Sequence, residues 1–72
     1  MSDFKDRLEQ EYTEVATRLV KLEKFTADVT NSSTMDARDW NDLILQREIM
    51  RSYVSILESR MFNLDIKYEE IV

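Results

Sequence analysis

The 72-residue chain contains no glycine and no proline. These two residues supply most tight turns and strand bulges, and both are disfavoured inside helices. A chain that uses neither has few ways to reverse direction, so it must consist of long elements joined by few turns. We therefore predict an all-α protein.

The chain is short enough to form one domain, residues 1–72, with a small hydrophobic core. A core of this size rarely contributes more than about 3–5 kcal/mol, and small domains are usually reinforced by disulfides, metals or partner chains. The sequence has no cysteine and no histidine, which excludes disulfides and ordinary zinc sites. Association with other chains is the reinforcement that remains, and no cofactor is expected.

The first helix is predicted over about residues 3–25. Its apolar residues recur at alternating spacings of four and three, which is the pattern of a helical seam. Phe4 extends the seam toward the N-terminus. The seam comprises Leu8, Tyr12, Val15, Leu19 and Leu22.

The interruption of the helix is predicted over about residues 26–35. This stretch includes five consecutive Ser, Thr and Asn residues, which compete with helix by hydrogen-bonding their own backbone. Ser33, with Asp36 three residues later, resembles a capping box. The second helix is therefore predicted over about residues 36–64, followed by a short tail over residues 65–72.

The second helix carries two apolar stripes. A single antiparallel hairpin covers only one stripe, so the second needs another partner. We therefore predict a two-helix antiparallel hairpin that assembles into a homo-oligomeric helical bundle. The first stripe comprises Leu43, Met50, Val54, Leu57, Met61 and Leu64, and the second comprises Leu45, Ile49, Tyr53 and Ile56.

Charge and composition exclude several functions. The net charge of −5 argues against binding to DNA or RNA, because the phosphate backbone repels an acidic surface. No apolar run is long enough to span a membrane, and the N-terminus lacks a secretory core, so the expected location is the cytoplasm. Without histidine, cysteine or a glycine-rich phosphate loop, the chain is not expected to be an enzyme. Its carboxylates are interpreted as a solvated face rather than a metal site.

The end of the first helix carries Arg18, Lys21 and Lys24. These cations either complement the helix dipole and aid solubility, or form a pocket for an anion. In a hairpin they lie beside the start of the second helix, whose free amide groups attract anions. Thr26, Thr30 and the serines that follow add hydroxyl donors. This combination suits a phosphate group, although helix capping also explains the hydroxyls.

Three aromatic residues and one arginine each allow two interpretations. Tyr12 is either a core residue or a platform for a nucleobase. Trp40 either closes the end of the hairpin or contacts a ligand, and Tyr53 either packs in an interface or contacts a ligand. Arg60 is in step with the second stripe, so it either forms an interchain ion pair or meets a charged ligand at a symmetry axis.

Residues 4–62 resemble a family of phage helical hairpins, the anti-CBASS sponge proteins, which share their fold with a related anti-Thoeris sponge. The resemblance is carried by the order and spacing of residues on both helices. On the first helix these are Glu11, Tyr12, Thr13, Glu14, Val15, Arg18, Lys21, Leu22 and Phe25, and on the second Leu45, Gln46, Met50, Tyr53, Leu57 and Arg60.

This resemblance implies a function in immune evasion. Such phage proteins act in the host bacterial cytoplasm, where they sequester cyclic oligonucleotide messengers without degrading them. The resemblance implies a homohexamer of hairpins. Cyclic dinucleotides would occupy pockets between two protomers, and cyclic trinucleotides a second type of pocket on the symmetry axis.

The resemblance also implies residue roles in the dinucleotide pocket. Tyr12 would stack on a base, and a lysine and a threonine near the end of the first helix would contact the phosphates. The chain departs from the family at the lysine, whose aligned position is Ala27. Lys24 is the nearest cation, and Thr26 or Thr30 would supply the hydroxyl.

For the trinucleotide pocket the resemblance implies Thr13 and Arg60. The alternative function is a coiled-coil adaptor, whose seam binds another protein and no small molecule. The two functions differ in one respect that is simple to test, since only the sponge would carry cyclic oligonucleotides.

Overall fold

The computed structural model of the protein describes residues 3–68. In chain order it contains helix α1 (Asp3–Ala27), a 3-10 helix (Val29–Thr34) and helix α2 (Ala37–Asn63). The two long helices pack side by side in a rod of 48 × 18 × 16 Å. The early part of α1 contacts the late part of α2, as in the hydrogen bond between Glu11 and Tyr53. The all-α prediction is therefore confirmed, and each long helix differs from its predicted bounds by one or two residues.

The connection between the helices is ordered by its own side chains. Asp28 caps the 3-10 helix and accepts hydrogen bonds from the Thr30 amide (3.0 Å) and the Thr30 hydroxyl (2.6 Å). Asn31 donates its side-chain amide to the carbonyl of Phe25 at 2.8 Å, which satisfies a carbonyl that the end of α1 leaves free. The run of Ser, Thr and Asn residues separates α1 from α2 as predicted, but it forms a 3-10 helix (Val29–Thr34) rather than an irregular loop.

The predicted capping box at Ser33 is wrong. Helix α2 is capped by Asp36, whose carboxylate accepts a hydrogen bond from the Arg38 amide at 2.8 Å. Ser33 lies inside the 3-10 helix and donates its hydroxyl to the Thr30 carbonyl at 2.7 Å. Aspartate is as good a cap as serine, and its charge also complements the positive end of the helix dipole.

The core lies in the interface between α1 and α2. Leu57 and Met61 are fully buried, which confirms that the first stripe of α2 faces α1. Tyr12, at 2% exposure, lies in the seam of α1 as predicted, whereas Phe4 remains 52% exposed. The buried apolar residues are Leu8, Tyr12, Ala16, Leu19, Val54, Leu57, Met61 and Ile66.

Helix α2 ends in a Schellman motif. The Ile66 amide donates to the Met61 carbonyl at 2.9 Å, and the Asp65 amide donates to the Phe62 carbonyl at 3.1 Å. Asp65 has a φ of 57°, which is the left-handed conformation that this motif requires. The turn directs Ile66 back into the core. Of the predicted tail, residues 69–72 lie outside the described residues.

The second stripe of α2 faces away from α1. Leu45 is 53% exposed, Ile49 70% and Ile56 56%. The hairpin therefore leaves uncovered an apolar face that runs along the middle of α2. Within residues 3–68, neither long helix contains an apolar stretch that is long enough to cross a membrane.

Candidate functional site

Tyr12, the predicted platform for a base, is buried within one chain. Its ring packs against that of Tyr68, with ring centroids 4.8 Å apart and planes inclined at 59°. Tyr68 belongs to the segment that follows the Schellman motif. The structure thus shows Tyr12 as a core residue of the hairpin, and its role in stacking on a base stays a prediction.

Thr26 links the two helices. Its side chain is buried, and its hydroxyl donates to the Leu22 carbonyl at 2.8 Å, as threonine often does inside a helix. The same hydroxyl accepts a hydrogen bond from the Arg47 guanidinium at 3.0 Å. Both hydrogen-bonding capacities of the hydroxyl are therefore used within the hairpin.

Thr30 and Lys24 lie at the connection. The Thr30 hydroxyl donates to Asp28, and this bond, together with one from the Thr30 amide, lowers the pKa of the Asp28 carboxyl. Lys24 is exposed in the last turn of α1. At the rise of an α-helix it lies about 18 Å along the axis from Tyr12. One chain therefore does not gather the four predicted dinucleotide residues around one cavity, and their convergence stays a prediction.

Thr13 and Arg60, predicted for the trinucleotide pocket, line different grooves of the single chain. The Thr13 hydroxyl donates to the Glu9 carbonyl at 3.0 Å on the acidic outer face of α1. The groove at Thr13 is also lined by Asp6, Glu9, Gln10 and Glu14, and the groove at Arg60 by Phe4, Arg7, Leu8 and Glu11. A common pocket for Thr13 and Arg60 stays a prediction.

Tyr53 connects the exposed stripe of α2 to α1. Its hydroxyl donates to the Glu11 carboxylate. This hydrogen bond raises the pKa of the Tyr53 phenol, and partial desolvation and the charge of Glu11 act in the same direction, while Arg60 acts in the opposite one. Tyr53, Glu11 and Arg60 thus form a polar cluster beside the apolar stripe.

A further groove of about 450 Å³ runs between the second half of α1 and the middle of α2. The four α1 residues that line it follow an i, i+3, i+4, i+7 pattern, so they share one face of the helix. All six lining residues belong to the set that carries the family resemblance. We call this feature the basic groove; it is lined by Arg18, Lys21, Leu22, Phe25, Gln46 and Met50.

The cations of the basic groove differ from those of α2 in their surroundings. Arg18 and Lys21 form no ion pair with any side chain that the structure describes. Arg51, by contrast, forms ion pairs with Glu23 and Glu48, each at 2.9 Å, which raise its pKa. Sequence reasoning missed the Arg51–Glu23 pair, because the register between two helices is not encoded in local spacing.

The aromatic residues at this end of the hairpin are partly exposed. The Phe25 ring packs against Trp40, with centroids 6.1 Å apart and planes inclined at 47°. Trp40 therefore closes the end of the hairpin, as one of its two interpretations predicted. Phe25 itself stays 39% exposed and forms an aromatic wall of the basic groove.

These features suit the binding of an anion that also has a flat, apolar part. Guanidinium and ammonium groups bind phosphate, and an exposed phenyl ring receives the face of a base. Among residues 3–68, no group of three or more acidic side chains is arranged to hold a metal ion.

The sequence of residues 2–63 matches the family model of the Sequestin family, and this range includes α1, the connection and α2. Comparisons with curated proteins and with solved structures give no match. The name of the family denotes sequestration, which is a binding role rather than a catalytic one.

Proposed function

The chain belongs to the Sequestin family, and from this premise we propose that it sequesters cyclic oligonucleotide immune messengers without degrading them. Cyclic dinucleotides are the principal ligands, and cyclic trinucleotides occupy a second type of pocket. As a phage protein in the host bacterial cytoplasm, it lowers the free concentration of these messengers and so suppresses anti-phage signalling. The resemblance to the anti-CBASS sponges supplies the class of messenger.

The observation that supports this proposal most directly is the unpaired charge on the second half of α1. Arg18, Lys21 and Lys24 are exposed and have no ion-pair partner among the described side chains. The chain as a whole has a net charge of −5. A local basic surface on an acidic protein attracts a small anion, while the overall charge disfavours long polyanions such as DNA.

The proposal includes self-assembly into a hexamer of hairpins. The exposed stripe of Leu45, Ile49 and Ile56 is an apolar surface that a second hairpin would bury. Association also brings residues from two chains together. This is how Lys24 and Thr30, which lie at the surface of one chain, would come to serve a common ligand. For Tyr12 and Thr26, which are buried within the hairpin, the same proposal also requires the hairpin to open locally when the ligand binds.

The test of sequestration uses purified protein, isothermal calorimetry and native mass spectrometry. The probes are cyclic di-AMP, cyclic di-GMP and cyclic tri-AMP. We expect tight binding of at least one dinucleotide, and recovery of the ligand intact after the protein is denatured. A linearised product above the no-protein control would contradict sequestration, and binding of none of the probes would leave the coiled-coil adaptor as the better function.

The test of assembly uses light scattering at micromolar concentration. We expect a mass several times the 8.6 kDa of one chain, with six chains as the proposed number. Ile49→Asp should dissociate the assembly, because burying an unpaired charge in an interface costs several kcal/mol. Ser55→Asp, at an exposed position of α2 that lies on a different side of the helix from Ile49 and Ile56, is the matched control. A monomeric mass for the unmodified protein would contradict the assembly.

A further inference from the structure

We propose that the basic groove holds one nucleotide unit of the ligand. Arg18 and Lys21 bind a phosphate, Phe25 receives the face of the base, and Gln46 reads its edge. The inference rests on the proposed function and makes it specific, because it assigns one nucleotide unit to the groove in addition to the residues that the resemblance implies. Phe25 and Gln46 have no role in those predictions.

The size and shape of the groove fit this assignment. Its volume of about 450 Å³ falls within the usual range for small-molecule sites. The two cations and Phe25 lie along one face of α1, with Arg18 and Phe25 two turns apart, or about 10 Å. A phosphate held near Arg18 and Lys21 therefore leaves room for a base beside Phe25.

Among the residues that the structure describes, no acidic side chain lines the groove, although Glu14 lies one turn before Arg18 on α1 and Asp42 one turn before Gln46 on α2. Glu23 is the only acidic residue between positions 15 and 27, and its carboxylate is bound to Arg51 at 2.9 Å. Arg18 and Lys21 are thus free of carboxylate partners within the described chain and available to a phosphate. Charge-assisted bonds of this kind are stronger than those between neutral groups.

Gln46 is the residue that distinguishes one base from another. Its side-chain amide offers both donors and an acceptor, which a base edge needs for recognition. In the hairpin the amide donates only to the Met50 sulfur at 3.8 Å, and sulfur is a weak acceptor. The Gln46 side chain is also exposed, so a base edge would replace this weak contact and water molecules rather than a strong hydrogen bond within the protein. The apolar walls, Leu22 and Met50, contribute contact area without base preference.

Lys5 provides a control on the same helix. It has the same charge as Lys21 and is exposed, yet it lies about 24 Å away along the axis of α1 and does not line the groove. If attraction by positive charge anywhere on the helix accounted for binding, Lys5 would matter as much as Lys21. If the groove accounts for binding, Lys5 matters much less.

The experiment titrates cyclic di-AMP and cyclic di-GMP into the intact protein and follows both calorimetry and tryptophan fluorescence. Trp40 is the only tryptophan in the chain and packs on Phe25, so a base in the groove should change its emission. We expect Arg18→Gln and Lys21→Gln each to weaken binding about tenfold. Lys5→Gln and Arg38→Gln should change it less than about twofold, since both residues lie outside the groove.

Gln46→Met tests recognition of the base. It keeps the length of the side chain and should change the ratio of the two affinities by about fivefold or more, while Trp40 still responds to ligand. Circular dichroism and light scattering confirm that each variant keeps its helicity and its mass.

Three outcomes would overturn the inference. If Arg18→Gln and Lys21→Gln bind with the affinity of the unmodified protein and give the same change in Trp40 fluorescence, the groove is not the binding site. The proposed function would then remain intact. Equal weakening by Lys5→Gln and Arg38→Gln would show a general effect of charge instead. If the unmodified protein binds neither dinucleotide, the proposed function fails, and the groove inference fails with it.

Discussion

The two ends of the hairpin are held together by different kinds of interaction. At the end that carries both termini, Leu8 and Tyr12 pack with Leu57, Met61 and Ile66 in a continuous apolar core. At the end that carries the connection, the described links between the helices are polar and aromatic. They are the hydrogen bond of Arg47 with Thr26, the ion pair of Arg51 with Glu23 and the packing of Phe25 on Trp40.

This difference separates stability from ligand contact. Apolar burial is strong and tolerant of small movements, whereas polar links are weaker and depend on geometry. The basic groove lies toward the connection, so changes to its exposed residues should leave the core unaffected. We expect the stability and the binding of this protein to respond to different sets of substitutions, and four predictions test that expectation.

The largest effect is expected from Leu57→Ala. Leu57 is fully buried, and removal of a buried leucine side chain costs about 2–5 kcal/mol, which is close to the whole stability of a domain of this size. The variant should therefore be largely unfolded by circular dichroism in urea. Leu45→Ala makes the same change at a residue that is 53% exposed in the hairpin. It should lower the free energy of unfolding only at protein concentrations where the chains associate, because only association would bury Leu45. Equal losses at all concentrations would contradict the division into two stripes.

An intermediate effect is expected from Thr26→Val. The change keeps the shape of the side chain but removes the acceptor for the Arg47 guanidinium, at a cost of about 1–2 kcal/mol in the free energy of unfolding. Urea denaturation measures it. Thr17→Val is the matched control, because the Thr17 hydroxyl bonds only within its own helix, to the Thr13 carbonyl at 2.6 Å. If both variants behave alike, the polar link contributes nothing to the connection end.

A smaller effect, of opposite sign, is expected from Asp65→Gly. Asp65 adopts a φ of 57°, which glycine reaches without steric cost. The substitution should raise the free energy of unfolding by about 0.5–1 kcal/mol. Asp65→Val should lower it, since a β-branched residue is poorly accommodated there. A destabilised glycine variant would show that the Asp65 side chain has a role that the turn geometry does not explain.

The smallest effect is expected from the titration of Asp28. Hydrogen bonds from Thr30 lower its pKa below the ordinary value of 3.8. A lowered pKa in the folded state means that the contribution is complete above pH 3.8 and is lost as the pH falls through the folded value. The Thr30 amide resonance should therefore shift in strongly acidic solution, and the unfolding midpoint of Asp28→Asn should depend on pH slightly less steeply there than that of the unmodified protein. A Thr30 amide that does not follow the titration would contradict the cap.

Much of the fold was predictable from the sequence, because the seam of α1 and the first stripe of α2 repeat along the whole length of each helix. The missed core residues have identifiable causes. Ala16 carries too little apolar area to define a stripe. Ile66 reaches the core only because Asp65 reverses the chain in a left-handed conformation, and aspartate gives a weaker signal for that conformation than glycine does.

The candidate site was less predictable than the fold. The groups at the basic end of α1 were identified from charge and spacing, but the partners of those groups across the hairpin depend on the register between α1 and α2. That register brings Gln46 into the same groove as Arg18 and Lys21, and it places Arg51 beside Glu23. A sequence pattern identifies which face of each helix is buried. It does not determine how far one helix is shifted along the other, and this shift is uncertain by about one turn.

The 3-10 helix gives the connection a fixed length. Its six residues advance about 12 Å at the rise of this helix type, which is near the 8–10 Å that separates the axes of packed helices. Ser32, Ser33 and Thr34 each donate a hydroxyl to the carbonyl three residues earlier, so this length is maintained without help from the core. The connection is thus a rigid spacer that limits sliding of one helix past the other. Deletion of one residue would move the start of α2 by about 2 Å and rotate it by about 120°, so this segment should tolerate substitutions far better than changes in length.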